Sequence, residues 1–400
     1  MQFERLSFNM QAMWQRSALQ LLERLWQHFP AVTILGARQV GKTTLARQFL
    51  PDAVYADLEE PFTQQLFQDQ PRYQIESRGP GPLILDEAQQ VPSLFPTLRG
   101  LIDQERNRMG RFCILGSAQP SLVRAVSESL AGRVGVLDLD PLCASETSGT
   151  EPILDWRTLW LRGGFPDAAK GDFRAWWESY LRTYVERDLP QLGLRPQPVL
   201  LRRLLTMMAH MHGGLLNMSD LGASLGISHS TVSHYIEILE QTFLVRRVAP
   251  YFRNIGKRLT KSPKVYLRDS GLLHHLLNIS THEELLHHPA LGRSWEGFVM
   301  EEIVRREKVI RPHSQFFFWR TAAGAEADLV IDRGSELVAI EIKCGAMEQS
   351  REVRRFADTL PDIGAKRGFV LDQGTGRRPL HPQIECHGFA DDLHWLPGEF

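Results

Sequence analysis

The chain has 400 residues, 43% of them hydrophobic, and a formal net charge of −1, which suits two or three globular domains and excludes a global attraction for nucleic acid. Its four cysteines (Cys113, Cys143, Cys344, Cys386) are scattered with no CxxC pair, so neither a zinc site nor a disulfide framework is indicated and a reducing cytoplasm is expected. No stretch approaches the roughly 18 apolar residues of a membrane helix, and the charged first residues argue against a signal peptide, so no membrane partner is expected.

Residues 15–30 place Leu19, Leu22, Leu25 and Trp26 on one face of a predicted helix. The β-branched run Ala31–Leu35 then reads as a buried strand, and GARQVGKTT follows it directly. A strand, GxxxxGKT and a helix form the context of a phosphate-binding loop. Gly36, Ala37, Arg38, Gln39, Val40 and Gly41 would wrap backbone N–H groups around a phosphate chain, continued by Lys42, Thr43 and Thr44 at the helix N-terminus. Lys42 would reach the β- and γ-phosphates, and the Thr43 hydroxyl would hold Mg²⁺.

Beyond it, Ala53–Glu60 alternates like a strand, and Asp57 and Glu59 at its end either face the nucleotide or are solvated loop acids. GPLILDEAQQVP puts Asp86 and Glu87 at the end of an apolar strand, where Asp86 would join the Mg²⁺ shell and Glu87 would orient or deprotonate water. Another strand, RFCILGSAQ, ends on Ser117, which either senses the γ-phosphate, as Gln119 also could, or caps the next helix. Arg133 follows that helix and is either an arginine for the transferring phosphoryl group or a helix-terminal arginine.

GARQVGKTTL, LILDEAQQVP, ILGSAQ and SLAGRV, in this order, resemble the AAA-superfamily ATPases, in particular prokaryotic ones with a long C-terminal region. The resemblance continues through GGFPDA (163–168), YVERDL (184–189) and RSWEGFVMEEI (293–303). It implies binding and hydrolysis of ATP with Mg²⁺ in a P-loop core, and, where Arg133 acts in trans, a homo-oligomeric ring of about six subunits.

From Trp156 to Met211 the chain reads helical, with Trp176, Trp177, Tyr180 and Tyr184 filling one face as core; Arg182, Arg187 and Asp188 read as solvated unless one reaches the nucleotide. Next, Asn217–Val248 has the layout of a helix-turn-helix: Ser219 caps one helix, Gly226 makes the turn, and Ser228 caps a second helix carrying Val232, Ile236 and Leu239. The exposed positions of the second helix would be His229, Ser230, Ser233 and His234. Eight basic residues and no acidic one lie between 246 and 268, as expected of a β-hairpin wing that meets DNA phosphates through Arg246, Arg247, Lys257, Arg258, Lys261 and Lys264.

In the last third, a helix carrying Glu296 precedes strands with Asp328 and, thirteen residues on, Glu341-Ile342-Lys343. Period 2 puts Glu341 and Lys343 on one face of their strand, with Asp328 across the hairpin, a set able to bind Mg²⁺ and activate water against a phosphodiester. Asp328, Glu341 and Lys343, with Glu296 on the preceding helix and Glu326 as an extra acid, resemble the PD-(D/E)xK nuclease superfamily; Ala327 stands where that motif often has proline. The expected architecture is therefore α/β: a P-loop AAA-type ATPase core over 1–150, a helical and winged helix-turn-helix module over 151–285, and an α/β nuclease-like domain over 286–400. Two functions follow: an ATP-driven machine that binds and remodels or processes DNA, with nuclease activity in its last domain, or a nucleotide-dependent switch whose downstream modules bind partners.

Overall fold

Val32, Thr33 and Ile34 favour extended backbone, and with their neighbours they form β1 (Ala31–Gly36), buried along its whole length. The computed structural model describes residues 14–117, 120–148, 153–191, 198–252, 261–321, 324–345 and 351–390. Within it, β1 joins β2 (Val54–Asp57), β3 (Leu83–Asp86), β4 (Phe112–Ser117) and β5 (Val134–Asp138) in a parallel sheet of order β2-β3-β4-β1-β5. Parallel pairing brings the C-terminal ends of these strands to one edge, and the register aligns Gly36 with Ser117 and Asp57 with Asp86. Alternate β1 residues serve opposite faces. Val32 and Ile34 pack with the helices Ala18–His28 and Lys42–Phe49, and Ala31 and Leu35 with Leu94–Gln104 and Pro120–Ser129.

Residues 156–191 and 198–210 carry successive helices, including Trp156–Arg162, Phe173–Thr183 and Pro198–His210. Phe173–Thr183 runs into a π-helical turn, Tyr184–Asp188. Two further helices, Met218–Leu225 and His229–Gln241, are joined by a turn with Gly226 at φ +70°. Asn217, not Ser219, caps the first: its Oδ1 accepts from Ser219 N at 3.1 Å and Asp220 N at 3.3 Å. Ser228 caps the second, accepting from Thr231 N at 3.1 Å.

The second sheet has nine strands: β6 (Gly214–Leu215), β7 (Val245–Pro250), β8 (Lys264–Leu267), β9 (Gln315–Arg320), β10 (Glu326–Asp332), β11 (Leu337–Ile342), β12 (Gly368–Asp372), β13 (Arg377–His381) and β14 (Ile384–Gly388). Their order is β13-β14-β12-β11-β10-β9-β7-β8-β6. The hairpin expected as a wing is part of this sheet: β7 pairs antiparallel with β8 and, through Ala249 and Pro250, parallel with Phe317 and Phe318 of β9. An edge strand leaves backbone donors and acceptors unpaired, and this pairing satisfies them.

Hydrophobic packing does not stop between the sheets. One continuous core cluster contains Leu22 and Val32 beside β1, Trp177 and Leu205 of the middle helices, and Trp295, Leu329 and Phe369 of the last third. Trp160 meets Trp295 edge-on at 5.0 Å between ring centroids, Trp295 meets Phe389 at 5.1 Å, and Trp160 Nε1 donates to Ser294 Oγ at 2.9 Å. The long helix Leu291–Ile310 adds polar ties to the first domain: Ala144 N donates to Glu302 at 2.9 Å, and Arg305 donates to Leu142 O at 3.1 Å.

Candidate active site

The phosphate loop sits at the edge where the parallel strands end. Gly41 adopts φ +100°, and Gln39 the left-handed region at φ +59°. Gly36 is required for a different reason: a Cβ there would lie 2.5 Å from the Leu139 carbonyl oxygen. Lys42 is buried and folds over the loop, donating to Ala37 O at 2.8 Å and Gly36 O at 3.1 Å. Burial lowers its pKa, and the nearby carboxylates of Glu87 and Asp86 oppose the shift.

Thr43 Oγ1 donates to Asp86 Oδ2 at 2.6 Å, and Tyr55 OH donates to the same oxygen at 2.8 Å. A hydroxyl and a carboxylate in contact beside a phosphate loop fit Mg²⁺, a hard cation that takes one or two protein oxygens together with substrate phosphates. Glu87, next in sequence, has left-handed backbone (φ +51°) and lines the loop's cavity. Non-glycine residues adopt that conformation at a cost, and such residues cluster at functional sites. Gln89 Nε2 donates to Glu87 Oε2 and reaches Ser117 Oγ at 3.4 Å, so the strand-end acid and the strand-end serine are joined through one amide.

The cavity over the loop measures about 690 Å³ and is walled on one side by residues outside the first domain. Arg187 and Asp188, of the π-helical turn, stand at its wall with Trp176 and Tyr180, and Trp14 and Lys170 complete it. Arg38 of the loop donates to Asp188 Oδ1 and, at 3.2 Å, to Glu59 Oε1, which also takes Arg187. Burial raises the Asp188 pKa, against the pull of Arg38. Glu59 is therefore an acid of the loop's rim. Arg16, also buried, donates to Val40 O at 3.1 Å and bonds Glu146 Oε2 at 3.1 Å, bracing the loop from behind. Of these residues, the sequence singled out the loop, Asp86, Glu87 and Ser117, and offered Glu59, Arg187 and Asp188 either as solvated or as facing the nucleotide. Gln89, Tyr55, Trp14 and Arg16 gave no signal, while YVERDL held Arg187 and Asp188 within a motif.

Arg133 is not brought to this site. Its backbone oxygen accepts from Ala31 N at 3.3 Å, at the start of β1, and its guanidinium grips Asp103 at 2.8 and 2.9 Å. The phosphate loop lies at the other end of β1, roughly 17 Å away by strand rise. An arginine so placed cannot touch phosphates bound by its own chain's loop.

Three of the basic residues expected on the wing, Arg246, Arg247 and Lys264, are paired within the chain. Arg246 pairs with Glu301, at 3.0 Å for Nη2, and Arg247 with Glu240, at 2.7 Å for Nε. Lys264 is buried at 3% exposure, a correction to its expected role as a phosphate contact. Lys257 and Arg258 lie outside the described residues, and Lys261 is exposed. On the second helix of the helix-turn-helix pair, His229, Ser230 and His234 are exposed, with acidic Glu237 among them.

In the last third, Glu341 holds Lys343 at 2.8 Å, and Asp328 Oδ2 accepts from Ile342 N at 2.9 Å, so the hairpin brings Asp328, Glu341 and Lys343 together. Burial first, and then the Asp328 charge, raise the pKa values of both Glu296 and Glu341.

A parallel sheet ending on a glycine-rich loop, with lysine, threonine and two strand-end acids, defines an AAA-type P-loop ATPase domain. The AAA domain family matches residues 28–148; residues 153–283 match a domain of unknown function (DUF8612), and 291–387 another (DUF4143). The uncharacterized proteins Mb2031c of Mycobacterium bovis and Rv2008c of Mycobacterium tuberculosis are each 38% identical over 393 residues, covering 94% of this chain and 86% of their own length. The chain belongs to the family of these two proteins. Among solved structures, the Walker-type ATPase PABY2304 of Pyrococcus abyssi is similar more loosely, at 15% identity and a TM-score of 0.45, covering 66% of this chain and 96% of that one. Among the described residues no helix is long and apolar enough to cross a membrane.

Proposed function

We propose that the chain binds and hydrolyses ATP with Mg²⁺, and that it is a nucleotide-dependent switch in which the middle helices read the state of the phosphate loop. The observation that carries this reading is the π-helical turn Tyr184–Asp188. One end touches the loop, through Asp188 and Arg38, and the other touches the helix-turn-helix pair, where Tyr184 OH and Thr242 Oγ1 lie 2.7 Å apart. Phosphates arriving in the cavity compete with Asp188 and Glu59 for Arg38 and Arg187. Release of that clamp frees the turn, and with it the helix His229–Gln241.

In hydrolysis, Lys42 and the loop amides bind the phosphates, Glu87 orients water and takes its proton, and Gln89 holds Glu87 and Ser117 in one geometry. Thr43 and Asp86 would hold Mg²⁺, which supplies charge neutralisation at the β- and γ-oxygens.

The alternative, an engine that remodels or processes DNA, is supported by the exposed face of His229–Gln241. The internal pairing of Arg246, Arg247 and Lys264 removes much of the charge such an engine needs. Steady-state ATP turnover with and without single- and double-stranded DNA separates the two. The switch reading expects turnover unchanged within about twofold; a salt-sensitive stimulation of tenfold or more would favour the DNA engine.

A further inference from the structure

Glu296, Glu326 and Asp328 are acids the sequence placed in or beside its candidate nuclease set, and the fold sets a lysine among them. On β8, Lys264 and Tyr266 point to the same side. Lys264 Nζ lies 2.7 Å from Glu326 Oε1, 2.9 Å from Glu296 Oε1 and 3.5 Å from Asp328 Oδ1. Its ammonium is 5.6 Å from the centroid of the Phe318 ring, and its side chain is 3% exposed. Tyr266 OH donates to Glu296 Oε1 at 2.6 Å, so that oxygen serves two donors, and Asp328 Oδ2 is taken by Ile342 N. Lys343 neutralises Glu341. Among the described residues, no group of three His, Cys, Asp or Glu side chains converges as a metal site. The acids do not fit a divalent ion, because an ammonium already lies among them and two positive charges in one dry cluster repel.

We propose that Lys264 Nζ is the resident cation of this cluster, and that the chain therefore takes up no divalent metal at Glu296, Glu326 and Asp328. The lysine comes from the hairpin that also joins the two halves of the sheet, so the cluster's cation is a structural tie between β8, β10 and the helix Leu291–Ile310. The proposal is independent of the nucleotide reading.

The test is Mn²⁺ binding to the full, nucleotide-free chain, followed by the electron paramagnetic resonance of free Mn²⁺. Wild type and Asp328→Asn should bind the same number of ions, because the phosphate-loop oxygens are common to both. Lys264→Met should gain one ion per chain, bound at least about tenfold more tightly than anything wild type adds at this cluster. Adding Asp328→Asn to Lys264→Met should remove it, and Lys264→Arg should exclude it as lysine does. A wild-type Mn²⁺ site lost in Asp328→Asn overturns the proposal, as does a folded Lys264→Met chain that gains none. Should Lys264→Met fail to fold, the comparison of wild type with Asp328→Asn decides alone.

Discussion

Glu87 carries most of the chemical argument at the scale of single residues. Its left-handed backbone turns the side chain away from the strand direction of Asp86 and into the cavity. Glu87→Gln is expected to keep ATP bound while lowering turnover by about 10²–10⁴-fold, the usual contribution of a positioned proton acceptor. Equal turnover in variant and parent, measured beside binding of a fluorescent nucleotide, would remove Glu87 from the reaction. Gly36→Ala tests the loop by packing rather than chemistry: the added carbon meets the Leu139 carbonyl at 2.5 Å, and backbone cannot rotate away as a side chain can. A loss of about 1–3 kcal/mol of stability is expected in denaturant titration, with weaker nucleotide binding. Lys42 was legible because the phosphate loop fixes its spacing from the glycines, and Asp86 because it ends an apolar strand. Gln89 was not, since its contact with Ser117 joins residues 28 apart that meet only in the fold.

Among the elements, β7 and β8 show how charge can be misread. A run of basic residues with no acid among them looks like a surface made for phosphates, yet the counter-charges lie elsewhere in the chain. Glu301 on the helix Leu291–Ile310 takes Arg246 and lies 3.6 Å from Arg268, and Asp140, after β5, takes Arg268 from the other side. Burial would raise the Asp140 pKa, but Arg268 and Arg305 outweigh it and hold the carboxyl down at about 2. Glu301→Ala leaves Arg246 buried with its main acid removed and takes a second acid from Arg268, and a loss of about 3–5 kcal/mol in unfolding free energy is expected by urea titration. A loss under 1 kcal/mol would mean that the cluster opens to solvent. Asp269 is a similar joint, capping the helix Ser270–Leu276 through Gly271 N at 2.8 Å while accepting from Gly164 N at 2.8 Å. The GGFPDA motif was visible as a pattern, and its partner Asp269, 105 residues later, was not.

For the whole molecule the continuous core makes the three regions one body in energy. Calorimetry and tryptophan fluorescence are expected to report a single coincident unfolding transition, although 400 residues would ordinarily unfold in steps. Two transitions separated by 10 °C or more would contradict this. The same interior makes stability depend on acid. Burial pushes His212 down to about 3, with His274 adding to the effect, and burial pushes His274 down to about 4. Unfolding returns both to about 6.5, so the unfolded chain binds more protons below that pH. Their contribution is full above pH 6.5 and declines as pH falls toward the folded values, by about 1.4 kcal/mol per unit for each histidine. Between pH 7.5 and 5 the buried carboxyls of Glu296, Glu302 and Glu341, pushed up by burial to about 7, 7 and 8, act in the opposite sense. The histidine effect is therefore read as a difference: as pH falls through this window the parent should lose more urea midpoint, or gain less, than a His212→Asn variant.

The sequence by itself made the nucleotide end of the protein legible, because a phosphate loop is local, built from a strand, a turn and a helix, and the strand-end acids carry a short pattern of their own. It also determined the two turn-linked helices and the hairpin of Asp328, Glu341 and Lys343, whose patterns repeat over a few residues. Tertiary structure decided which charges face water, where Arg133 lies, and that Lys264 belongs to the acids of the last third. Those outcomes depend on pairing across sheet order, and a strand's neighbour in space is set by the packing of the whole core rather than by its own period.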